Sequence, residues 1–100
     1  MAAPSIETNN RIIFKAADQE TTAVFKISVI AWVSNGGTDL DIAADDDMLL
    51  EDGSGVEIIG MRAEATANDL KISFPEPIIA HGLKAEDLDG GVLYVYGKRV

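Results

Sequence analysis

Period-two alternation of apolar and polar residues, interrupted by glycine-bearing turns, predicts an all-β fold: a compact antiparallel β-sandwich or barrel of about seven to eight short strands. The alternation is plain in "TTAVFKISVIAWVS" and "LKISF". The interruptions "SNGG" and "DGSG" are turn sequences, rich in residues that adopt unusual backbone angles or close on their own backbone. At 100 residues the chain is one domain, with material for a modest core.

Each element follows in order. Residues 1–10 read as an N-terminal arm and residues 11–100 as the single β domain. "RIIFKA" (Arg11–Ala16) reads as a first strand, and "ADQET" connects it to the next. In "TTAVFKISVIAWVS", Ala23, Phe25, Ile27, Val29, Ala31 and Val33 share one parity and are expected to face the core. The other parity is polar at Lys26 and Ser28 and apolar at Ile30 and Trp32, so the second face is covered only towards the end. Asn35-Gly36 predicts a hairpin. "TDLDIAAD" should return as a strand, with Leu40, Ile42 and Ala44 inward and Asp39, Asp41 and Asp45 outward. "MLLE" and "VEIIG" flank the turn at Asp52–Gly55. "MRAEATAND" (Met61–Asp69) lacks a helical period and reads as strand and loop. "LKISF" is a strand, Pro75 and Pro77 make a corner or edge, and "PIIAHGL" resumes as a strand. "KAEDLDGG" reads as a turn or one helical turn before the closing strand "VLYVYGKRV".

Composition narrows the function. There is no cysteine, which rules out disulfides and thiolate metal sites. The start "MAAPSIETNN" has neither a basic opening nor an apolar run, so a secretion signal is not expected. Seventeen acids against eight bases give a net charge of −9. Such a surface repels free nucleic acid, and the bases Arg11, Lys15, Lys26, Arg62, Lys71, Lys84, Lys98 and Arg99 are scattered along the chain. No basic stripe with interleaved aromatics is expected. The charge favours a basic or mixed protein partner.

Candidate chemistry is sparse. The acids Asp39, Asp41, Asp45, Asp46 and Asp47 offer oxygen ligands, but a calcium loop opening at Asp39 would need glycine where Ala44 stands and glutamate where Leu50 stands. They read as the wet side of a sheet, and no metal or cofactor is expected. His81 is the lone histidine, and no serine stands in a nucleophile-elbow context. The expectation is therefore no enzyme and no catalytic residue. Trp32 has two readings, a core side chain or an anchor in a subunit contact. Tyr94 and Tyr96 share a parity on the last strand. Trp32, Tyr94 and Tyr96 are the candidate subunit contacts.

Three segments together carry a likeness: "FKISVIAWVS", the short acidic strand and turn after it, and "HGLKAEDLDGGVLYVY". In Lys26, Trp32-Val33, Gly82-Leu83, Leu88 to Gly91 and Tyr94 to Tyr96, residues 11–96 resemble small virion structural proteins of tailed bacteriophages. Met61–Asp69 has no counterpart in that pattern. The resemblance implies a non-enzymatic capsid decoration (cement) protein binding the major capsid protein in many copies. It also implies a homo-oligomer, a trimer among the candidates, located in the virion after assembly in the host cytoplasm. It brings no catalytic residues. A tail or head-completion component is the near alternative, and a small carbohydrate- or ligand-binding β module the distant one. Neither nucleic acid nor membrane is an expected direct partner.

Overall fold

The computed structural model describes residues 3–4, 6–34, 42–64 and 69–100. Its seven strands are β1 (Ile6–Glu7), β2 (Arg11–Phe14), β3 (Glu20–Val33), β4 (Asp47–Asp52), β5 (Glu57–Arg62), β6 (Leu70–Leu88) and β7 (Val92–Arg99). They form one antiparallel sheet in the order β1-β2-β7-β3-β6-β4-β5, with no helix among the described residues. The all-β class is as the sequence predicts. Two strands are long rather than short: β3 has 14 residues and β6 has 19. The arm is not free of the sheet, because Ile6 pairs with Ile13 and Glu7 with Ile12.

One residue resets the faces of β3. The ladder to β7 pairs Ile27 with Gly97 and then Val29 with Tyr96, so Ser28 is an extra residue in a β-bulge. Before the bulge Phe25 and Ile27 have no exposed surface; after it Ile30 and Trp32 have none, while Ala31 between them keeps 9% and lies outside the core cluster. The single-parity face expected from Ala23 to Val33 is therefore wrong beyond Ile27. A bulge exchanges inward and outward positions, and alternation read from the sequence alone cannot see it.

β6 is bulged opposite the same place. Ile27 pairs with Ile78 and Val29 with Ser73, which leaves Phe74–Pro77 without cross-strand partners on β3. The two prolines lack an N–H to donate, so they sit where the ladder is already open. Lys84–Leu88 is not a turn but the end of this strand, paired with β4 through Lys84–Glu51 and Leu88–Met48. Residues 42–46 are not a strand either. Asp45 has φ 70°, and the Asp46 carboxylate accepts the Ala43 N–H at 2.8 Å, a local turn that withdraws this backbone from a ladder. Ile42 is buried nonetheless, while Ala44 is exposed. The predicted hairpin at Asn35-Gly36, with Asp39, Leu40 and Asp41, lies outside the described residues.

Ile12 and Phe14 of β2 share one core cluster with Met48 and Leu50 of β4, although three strands separate β2 from β4 in the sheet. A flat sheet would hold them roughly 19 Å apart at the usual interstrand spacing. Ile12, Phe14, Ile27, Trp32 and Leu50 nevertheless have no exposed surface, and with no second sheet or helix among the described residues the sheet itself covers them: it is rolled over itself, and its concave side is the core. Trp32 lies inside that core with no exposed surface.

Candidate functional site

Three places gather polar or aromatic side chains, and each is built by pairing between strands distant in sequence. The first is the outward, convex side of β2, β7, β3 and β6. Once the bulge is taken into account, cross-strand partners define its rows. Ile13, Tyr94, Ala31 and Lys71 lie side by side; Arg11, Tyr96, Val29 and Ser73 form the next row; Lys98, Lys26 and Ile79 form a third. Tyr94 and Tyr96 stack with ring centroids 5.9 Å apart and planes 8° from parallel. Tyr96 is 38% exposed and Ile79 54%. None of the paired positions in these rows is an Asp or Glu.

Four of the chain's eight bases therefore stand around a tyrosine pair on one face. The expectation that no basic stripe with interleaved aromatics exists is overturned. Arg11, Lys26, Lys71 and Lys98 are far apart in sequence, and only strand pairing brings them together. Tyr94 and Tyr96, two of the three candidate contacts, lie at its centre. Trp32 does not, and as a contact residue it is a correction. The bulge turns it inward, where its Nε1–H donates to the Gly90 carbonyl at 2.8 Å.

The second place is an acidic cluster at the start of β4 and the end of β6. Carboxylate oxygens of Asp47, Asp87 and Asp89 lie within 4.8 Å of one another. The Asp89 carboxylate accepts the Asp47 N–H at 2.9 Å, and the Asp89 N–H donates to the Asp47 carbonyl at 3.1 Å. Arg62 clamps Asp47 in a bidentate pair, Nε to Oδ1 at 2.8 Å and Nη2 to Oδ2 at 3.1 Å, which holds the Asp47 carboxyl below its ordinary pKa. Asp87 goes the other way. A hydrogen bond shared with Asp89, partial desolvation and the charges of Asp89 and Asp47 raise its pKa. Calcium takes about six to eight oxygens, and here both oxygens of Asp47 already serve Arg62. The cluster is best described as concentrated negative charge. Of the acidic run Asp45–Asp47 in the sequence, only Asp47 belongs to it; Asp87 and Asp89 come from the other half of the chain.

The third is an open groove of about 700 Å³ between the N-terminal arm, the start of β3 and the middle of β6. Glu7, Glu20, Thr21 and His81 are among its lining residues. Gly82 (φ 86°) lets β6 cross against Gly53 at its floor, where the Gly53 N–H donates to the His81 carbonyl at 3.0 Å. Glu7 is already paired with Arg99. No side-chain hydrogen bond links His81 to a serine or an acid among the described residues.

No protein-family model, curated protein or solved structure matches this chain.

Proposed function

We propose that this chain is a non-enzymatic structural protein of a phage virion, most specifically a capsid decoration protein that binds the major capsid protein in many copies. The observation that carries the reading is the outward face of β2, β7, β3 and β6. Its centre is aromatic, with exposed Tyr96 stacked on half-buried Tyr94 and half-buried Val29 beside them, and its rim is cationic. Apolar centres enriched in tyrosine and surrounded by polar rims are the anatomy of protein–protein interfaces. A convex sheet face of this kind suits lateral contact with another protein better than it suits enclosing a substrate. The likeness of residues 11–96 to small virion proteins supports placing that contact in a particle. Quantitative mass spectrometry of gradient-purified particles tests the reading through copy number relative to the major shell protein. Hundreds of copies per particle are expected for a decoration protein. A dozen or fewer would make it a tail or head-completion component, and absence from particles would overturn the reading.

The groove lined by His81 favours a second reading, a small ligand-binding β module. A thermal-shift screen with simple sugars separates the two. A reproducible shift that His81→Ala abolishes supports the module, and no shift removes it.

A further inference from the structure

We infer that the convex face bearing Tyr94 and Tyr96 docks the acidic end of a second copy of this chain, head to tail, with Arg11, Lys26, Lys71 and Lys98 meeting the carboxylates around Asp87. The inference deepens the reading of this face as an assembly surface and rests on it.

Charge segregation is the first support. Arg62, Lys84 and Arg99 each have an ion-pair partner within the chain. The four cations of the convex face have none among the described residues. Lys26 stands directly opposite Lys98 across β3 and β7, and like charges in that position destabilise a sheet. Removing these four cations from the count leaves the rest of the chain more acidic than the −9 of the whole. At the other patch, Asp47, Asp87 and Asp89 crowd three carboxylates around the single cation Arg62. Each patch repels itself, and joining the two relieves both, which is the electrostatic complementarity that sets orientation at interfaces.

Geometry is the second support. The convex face spans β2, β7, β3 and β6, whereas the acidic end lies at β4 and the β6–β7 connection. The two patches hold different residues, and a head-to-tail pairing of them that no twofold axis closes is a heterologous contact. Such contacts close into rings or extend as chains. Nucleic acid is the weaker occupant: its phosphates match the cations, but the remainder of the molecule would repel them.

Sedimentation velocity of the purified chain, at about 50 mM and about 500 mM NaCl, tests the contact. Two charge-reversed variants complete the experiment, Lys26→Glu with Lys98→Glu and Asp87→Lys with Asp89→Lys, each checked for the native circular dichroism spectrum. The wild type is expected to associate at low salt and to weaken roughly tenfold or more at high salt. Each variant alone should be monomeric, and mixing the two should restore a complex, because the reversed patches complement each other. A wild type that stays monomeric at about millimolar concentration overturns the inference, as do variants that associate like the wild type. Binding of a fluorescent oligothymidylate that is lost in the lysine variant would overturn it by assigning the face to nucleic acid. The two proposals fail separately. A chain abundant in particles but monomeric in solution sinks the head-to-tail contact alone, and a self-associating chain absent from particles sinks the virion reading alone.

Discussion

Trp32 and Gly91 lock one corner of the core. The indole is fully buried and donates its only N–H to Gly90, while Gly91 holds φ 73°, in the left-handed region that glycine enters without a steric cost. A Cβ on Gly91 would lie 2.5 Å from Ile42 Cγ1 and 2.8 Å from Trp32 Nε1. Trp32→Phe leaves a buried carbonyl unpaired and is expected to lose about 1–3 kcal/mol of stability. Trp32→Ala should lose about 3–5 kcal/mol. Tyr96→Ala, on the convex face, should change stability far less than either while weakening assembly. Urea denaturation of the three variants measures these differences; equal losses for Tyr96→Ala and Trp32→Ala would show that the tyrosine is core. Asp87 gives a pH signature. Its pKa is raised in the folded protein, so only between the ordinary and the raised value does the native state hold a proton that the unfolded chain has released, and its contribution to stability falls as pH climbs through that window. Asp47, lowered by Arg62, contributes stability above the ordinary carboxylate range that is lost on acidification. Asp87→Asn should therefore flatten the decline above pH ~4. Chemical denaturation across a pH series reads it, and an unchanged profile would refute the assignment.

At the scale of elements, the β3 bulge decides which surface is which. Without Ser28 the sequence around it would alternate unbroken, with Phe25, Ile27, Ile30 and Trp32 inward and Lys26, Val29 and Ala31 outward. Deleting Ser28 is therefore expected to preserve every facing on β3 and a cooperative unfolding transition. Deleting Ala31 shifts Trp32 to the convex side and should abolish the transition, because a one-residue slip inverts the remainder of the strand. Thermal melts with tryptophan emission report both: a blue-shifted, cooperative protein for the first and a red-shifted, non-cooperative one for the second. If both deletions behave alike, the bulge is not what sets the faces. The opening in β6 at Phe74–Pro77 is the matching feature, and it was readable in sequence because proline cannot donate to a ladder.

For the whole molecule, net charge is a poor guide to any one surface. The value of −9 predicts a basic or mixed partner, yet the face richest in tyrosine carries four cations, which an acidic surface would complement. Rolling a single sheet over itself produces this separation, because it commits one side to the core and leaves the other to collect whatever residues the register places there. Screening should act in opposite directions on the two levels. Added salt relieves the excess negative charge within each chain while weakening contact between chains. Differential scanning calorimetry at dilute concentration is expected to show a melting temperature that rises with NaCl, against falling association by sedimentation. A melting temperature that falls with salt would mean that the ion pairs of Arg62, Lys84 and Arg99 outweigh the repulsion.

The sequence by itself determined the all-β class, the absence of cysteine chemistry, most strand positions and the open ladder at the prolines. These are local properties: side-chain period, turn chemistry and missing donors act over a few neighbouring residues. The tertiary structure alone decided that Trp32 is core, that Lys84–Leu88 is strand, that Asp47 joins Asp87 and Asp89, and that Arg11, Lys26, Lys71 and Lys98 surround two stacked tyrosines. Those outcomes depend on register between strands distant in sequence, and one bulged residue is enough to exchange their faces.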